Sequence, residues 1–363
     1  VGCSATPGSG PSAPRGTASS DRPATARTSI TIAISREPAS IEPSLQSQSS
    51  EWAALASGYL VSFSPETRGP LPYLAAEIPS LEKGTWTMTP DGRMETTYTL
   101  NPNATWQDAE LIVADDFVFG WTVRTDPTFP VYLADVERKV ARAEALDPHT
   151  LRLHWREPYL WAGLLHLPDF SPMPAHKLRR LYAEDRASFD DGPHWREQFL
   201  GSGPYRVVSW DPGVVVVFSA FDRFVLGKPR LDEIRVRFFG DANTIVANLL
   251  SGTVDVAYSI AIGFEQGQAL EQVGWKGKVD YWKGSGNPRY LEYQTRDWGA
   301  PQRAGFDPIV RRASHYAIDR RAIVDSIYAG KAAVAYFWLS PLDPSFPEVD
   351  RAVPKYDYDP ARA

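Results

Sequence analysis

Apolar and polar residues alternate along "SITIAIS", placing Ile30, Ile32 and Ile34 on one side of an extended chain. The pattern predicts a half-buried strand, ended by Pro38 and Pro43. Glu51 to Leu60 reads as a short helix. In "PDGRMETTYTL" the pair Asp91-Gly92 predicts a turn leading into a strand. "VADDFVFGWTV" opens a helix with Asp115 and Asp116 in its first turn, where carboxylates complement the helix dipole. That position accounts for the acidic pair without catalysis. "LRLHW" alternates Leu151, Leu153 and Trp155 as another strand.

The pattern then changes. "GSGPYRVVSW", "GVVVVFSAF" and "DEIRVRFF" are three successive strand candidates, followed by the helix "ANTIVANLLSG" with Gly252 as its stop, and by the strand "VDVAY". Strand, helix, strand in that order implies an α/β sheet with a crossover. "NPRYLEYQT" reads as a further strand. "DPIVRRASHYAIDRRAIVDSIYAGKA" reads as two helices, with Asp319 capping the second and Gly330 ending it.

Ahead of the first strand, Ser4 to Ser29 contains only Ser, Ala, Thr, Pro, Gly, Arg and Asp. Such a stretch cannot bury enough apolar surface to offset its ordering entropy, and it reads as a flexible linker. Cys3, the single cysteine of the chain, precedes it. One thiol excludes an internal disulfide and any four-thiolate metal site. Val1-Gly2-Cys3 looks like the remnant of a bacterial lipoprotein signal, with Cys3 as the acylated residue and residues 1–28 as anchor and linker. No stretch approaches the roughly 18–20 apolar residues of a membrane-spanning helix. A net charge of -6 with mixed signs leaves no polybasic footprint for nucleic acid.

The chain carries few of the patterns that mark catalysis or metal binding. The six histidines, at 149, 154, 166, 176, 194 and 315, include no i, i+4 pair and no HExxH motif. Neither a phosphate loop nor a G-x-S-x-G elbow occurs, and no cofactor is implied. Many Trp residues and 44 carboxylates would suit a glycosidase, which needs two carboxyl groups across a stacked sugar. Each acidic pair, however, has a structural reading: Asp115-Asp116 starts a helix and Asp190-Asp191-Gly192 makes a turn. "GSGPY" is likewise read as a tight strand entry fixed by Pro204.

Several segments, in order, resemble the bacterial extracellular solute-binding proteins of family 5, the peptide and nickel type that serve ABC importers. "LPYLAAEIPS" and "DGRMETTYTLNPNATWQDAELIVADDFVF" are similar to its P-x-L-A, D-G, W-x-D-G and A-D-D series. "GSGPY", "ANLLSGTVDVAY" and "VRRASHYAIDRRAIVDSIYAGKA" match its G-[TS]-G-P-Y, L-x-x-G-x-[IV]-D and A-I-D-R motifs. Two departures stand out. Ala109 replaces the glycine after W-x-D, which predicts a different turn. Val113 replaces a Ser/Thr helix cap, which predicts a donor without its side-chain acceptor.

The resemblance implies a large α/β periplasmic-binding-protein-like fold of two lobes and three subdomains. These would be a sheet domain of residues 29–61 plus 196–285, an inserted domain of 62–195, and the first part of a second lobe in 286–363. It also implies a chain that stops short of the family's usual end. A peptide or other small solute is the expected ligand, captured by lobe closure, with ABC permease subunits as partners. The protein would be a lipid-anchored monomer on the outer face of the bacterial cytoplasmic membrane, and not an enzyme. Candidate ligand residues are Glu37, Ala39 and Ser40 after the first strand, with Glu37 facing a ligand cation, and Asn287, Tyr290 and Tyr293 on the strand entering the second lobe. A nickel chelate or sugar in the same fold, a secreted hydrolase, and a signalling or structural lipoprotein are the rival readings.

Overall fold

A computed structural model describes residues 28–42, 45, 53–64, 67, 69–90, 92–131, 134–258, 261–281, 289–293, 307–341 and 343–363. Cys3 and Asn287 therefore lie outside the described residues. The strands are β1 (Ser29–Ile34), β2 (Val61–Phe63), β3 (Pro70–Pro72), β4 (Trp86–Met88), β5 (Met94–Thr99), β6 (Val140–Asp147), β7 (Thr150–Trp155), β8 (Tyr205–Asp211), β9 (Val215–Ala220), β10 (Glu233–Phe238) and β11 (Val256–Ala257). The helices are α1 (Ala53–Ala56), α2 (Ala114–Thr125), α3 (Asp135–Lys139), α4 (Ala175–Glu184), α5 (Arg186–Asp190), α6 (Ala242–Ser251), α7 (Phe264–Gln272), α8 (Pro308–Ala317), α9 (Arg320–Ile327) and α10 (Phe346–Ala352). The chain divides into two compact units: Val1–Asp241 with Gly252–Tyr258, and Ala242–Ser251 with Ser259–Ala363.

In the first unit, one sheet runs β11-β1-β10-β9-β8. β1 is parallel to both β10 and β11, with Ile32 opposite Val236 on one side and Val256 on the other. Ile32, Ile34, Ile234, Val236, Val216 and Phe218 form its core with Ile41 and Tyr205. Ala33, on the face expected to be polar, is also fully buried. A strand between two parallel neighbours is covered on both faces, so β1 is a central strand rather than a half-buried one.

The second sheet, β4-β5-β7-β6, is antiparallel. Its period-two pattern is carried through: Met94, Thr96, Tyr98, Leu151, Leu153 and Trp155 are all buried. Burying each of the large apolar side chains contributes roughly 1.5–3 kcal/mol. Their polar atoms are satisfied, Trp155 Nε1 donating to Thr96 Oγ1 at 2.9 Å and Tyr98 to the Ala162 carbonyl at 2.6 Å. A small third sheet pairs β2 with β3.

Two local expectations are corrected. Among the described residues the first helix spans only Ala53–Ala56, because the Ala56 carbonyl accepts from Ser202 N at 3.0 Å and Gly203 N at 2.8 Å and does not continue the helix. The described residues 289–293 of "NPRYLEYQT" are irregular. Alternation supplies a face, but a strand also requires a paired neighbour, and these residues have none in the described sheets.

The second unit contains α6 to α10. Its caps match the sequence pattern: the Asp307 carboxylate accepts from Ile309 N at 2.7 Å, the Asp319 carboxylate accepts from Ala322 N at 2.8 Å, and Gly330 has φ +70 beyond α9.

Candidate functional site

The three parallel strands end together. After β1 comes Ser35–Ala39, after β10 comes Phe239–Asp241, and after β11 comes Tyr258. In open α/β sheets, the carboxyl ends of parallel strands form the ligand crevice because loops there can diverge without breaking the ladder. Here the chain also passes from one compact unit to the other at Asp241/Ala242 and Tyr258/Ser259, directly beyond β10 and β11. This carboxyl edge is the candidate site.

Arg36 and Ala39 are exposed there, as is Tyr258 at 39%. The Arg237 guanidinium lies 5.0 Å from the centre of the Phe239 ring. Glu37 is half-buried, and each of its oxygens holds a protein donor: Trp210 Nε1 at 2.6 Å and Gly213 N at 2.8 Å. Gly213, at φ +74, sits in the tight β8–β9 turn. The carboxylate thus fastens the loop after β1 to that turn and fixes the Trp210 indole at the same edge. A ligand cation approaching Glu37 meets oxygens that already accept hydrogen bonds. Trp210 is absent from the sequence candidates, although a Trp beside the Asp211-Pro212-Gly213 turn was a visible signal.

Ser40 is buried; its Oγ donates to the Trp195 carbonyl at 3.0 Å and accepts from Glu42 N at 2.9 Å. It pins the loop instead of opening onto the edge. Next to it, Glu42 and Arg124 form a 2.8 Å ion pair with side chains 4% and 0% exposed. Arg124 also donates to the Ser171 carbonyl, and Gly120 leaves room, since a Cβ there would come within 2.8 Å of that carbonyl.

In the second unit, Tyr290 is 56% exposed and packs on Trp338, itself 63% exposed, with ring centres 4.3 Å apart. Trp338 was not anticipated. The Tyr293 hydroxyl is buried without a hydrogen-bond partner. Asn287, the remaining candidate, is not among the described residues.

The motifs serve as scaffold. Asp116 accepts from Trp106 Nε1, Val113 N and Ala175 N, each at 3.0 Å, joining the W-x-D turn to the starts of α2 and α4. Burial pushes its pKa up against the pull of these bonds. As expected, Val113 offers the helix no side-chain cap, and Asp116 N donates instead to the Val113 backbone carbonyl at 3.0 Å. Ala109 retains a left-handed turn, at φ +78. In "GSGPY", a Cβ on Gly201 or Gly203 would lie 2.0 or 2.6 Å from Ala56 backbone atoms. Gln107 seals this contact by bonding Gly203 O, Tyr205 O and Gly201 N. Among the described residues no group of three or more His, Cys, Asp or Glu side chains is placed to hold a metal, and no helix is long and apolar enough to cross a membrane.

The family described as "Bacterial extracellular solute-binding proteins, family 5 Middle" matches residues 77–363. The oligopeptide-binding protein AppA of Bacillus subtilis is 24% identical over 275 residues, covering 75% of this chain and 48% of AppA. The chain spans about half the length of the curated relatives it matches. Among solved structures, NikZ from Campylobacter jejuni in complex with Ni(L-His) superposes with a TM-score of 0.69 at 21% identity, covering 92% of this chain and 61% of NikZ. AppA in complex with a nonapeptide gives 0.68 at 20% identity, covering 92% and 62%. These likenesses establish a two-lobe α/β fold of the periplasmic-binding-protein type.

Proposed function

Because the chain belongs to the bacterial extracellular solute-binding proteins of family 5, we propose that it captures a small solute outside the cytoplasm for an ABC importer, without turnover. The observation that carries this reading is the convergence of three parallel-strand ends on one edge of the first unit's sheet. In a binder of this fold class, solute binding selects a closed state.

An oligopeptide or dipeptide is the preferred solute, supported by AppA. An extended backbone can be held by hydrogen bonds independent of its side chains. The exposed Arg36 suits a peptide carboxylate and Trp210, at the same edge, suits a ring of the peptide; in the second unit, the Tyr290–Trp338 pair is a separate aromatic surface. The likeness to NikZ with Ni(L-His) favours a metal–amino acid chelate as the second reading. Permease subunits are the proposed partners of a monomer, and acylated Cys3 its proposed anchor on the outer face of the membrane.

Thermal unfolding of the purified chain against peptide pools, Ni(L-His) and sugars tests the solute. Peptides are expected to raise Tm, since a ligand at 100 Kd stabilises by roughly 2.7 kcal/mol. Stabilisation by Ni(L-His) alone would replace the peptide reading. Hydrolysis of the added peptides would overturn the non-enzymatic one.

A further inference from the structure

A cavity of about 260 Å³ lies within the first unit. The end of α1, the Trp106–Asp108 turn, residues 171–174, the first turn of α4 and residues 194–202 converge on it. Trp106, Trp195, Phe199, Met173 and Leu178 supply a mainly apolar wall. The charges that line it are already matched: Glu42 by Arg124 at 2.8 Å, and Asp108 by His176 at 2.9 Å and Lys177 at 3.5 Å. Lys177 is 57% exposed along its side chain, so the cavity reaches solvent beside it.

Ser57 also lines this cavity. The residue is 5% exposed, and its Oγ is buried with no hydrogen-bond partner. Leaving such a hydroxyl unbonded costs about 1–3 kcal/mol. An apolar cavity of about 150 Å³ takes up benzene, and water is retained in a cavity only where it finds two to four polar partners. This space is larger, its wall is mainly apolar, and Ser57 offers it one unused hydroxyl.

We propose that the cavity is a binding site for a small uncharged aromatic molecule of the phenol or indole class. The ring lies among Trp106, Trp195 and Phe199, and the single polar group bonds Ser57 Oγ. An ionised ligand is disfavoured because the buried Glu42–Arg124 pair is already balanced, and a third charge would be uncompensated. The site shares no residue with the carboxyl edge, and Ser40 bonds its Glu42 and Trp195 walls to the loop after β1. Its occupant would join α1, the "GSGPY" loop and α4, stiffening the first unit.

Two measurements test this. Crystals soaked in 4-bromophenol are expected to show the bromine anomalous peak among Trp106, Trp195 and Phe199. Calorimetric titration with indole is expected to weaken about three- to tenfold in Ser57→Ala, the loss of one neutral hydrogen bond, while benzene binds both proteins alike. Because Ser57→Ala removes only an unbonded hydroxyl, its Tm should not fall. Ordered water filling the soaked cavity, a bromine peak with no binding in solution, or equal indole affinity in the variant would each overturn the proposal.

Discussion

Ala109 holds φ +78, a region that costs an L-residue with a Cβ roughly 1–2 kcal/mol. Glycine avoids that cost but loses more entropy on folding, so Ala109→Gly should stabilise the protein by about 0.5–1 kcal/mol in urea unfolding. Asp169 is a second strained residue, electrostatically. Burial, reinforced by the Asp135 carboxylate, pushes it up to about 6. An unfolded Asp titrates near 3.9, so between about pH 4 and 6 the native state binds the extra proton. The contribution of protonated Asp169 is therefore fully present below about pH 4 and lost as pH rises to about 6. Asp169→Asn should remove that slope and raise stability at pH 7 by about 1–3 kcal/mol, as read from unfolding curves between pH 4 and 7. Asp126 acts in the opposite sense: bonds from Tyr182, Thr128 and Arg186 lower its pKa, and its contribution is lost as pH falls. At this scale, the sequence showed clearly only what neighbours impose. The helix-start role of Asp116 is three residues from its Val113 partner. The partners of Glu37 are Trp210 and Gly213, more than 170 positions away, and no local pattern announces them.

At the scale of elements, periodicity was a sound guide wherever a covering layer existed. Leu151, Leu153 and Trp155 are buried as alternation requires, and β8, β9 and β10 follow the three apolar runs. It misled where long-range bonding decided the outcome. The first helix gives up the Ala56 carbonyl to the "GSGPY" loop, and residues 289–293 have a strand pattern without a partner in the described sheets. The loop contact is the more testable of the two. A Cβ on Gly203 would sit 2.6 Å from Ala56 C and 2.7 Å from Ser57 N, atoms of backbone that cannot swing aside. Gly203→Ala should therefore cost about 2–4 kcal/mol and lower Tm, whereas Gly240→Ala, where a Cβ meets nothing within 4 Å, should change it little.

On the scale of the whole molecule, the candidate site is assembled from three stretches that are remote in sequence, near residues 35–39, 239–241 and 258. A stabilising solute found by thermal unfolding should slow amide hydrogen exchange in all three at once; protection confined to other regions would relocate the site. The same topology has a consequence during synthesis. β1 leaves the ribosome long before β10, and Ile32 cannot meet Val236 until about two hundred further residues have been made. At roughly 5–20 residues per second, that is a wait of about 10–40 s. Throughout it an isoleucine-rich segment has both edges open, a template for pairing with other chains. The central strand of the finished sheet is thus the most vulnerable segment of the nascent one, and slower elongation between residues 35 and 232 should increase aggregation of the newly made protein.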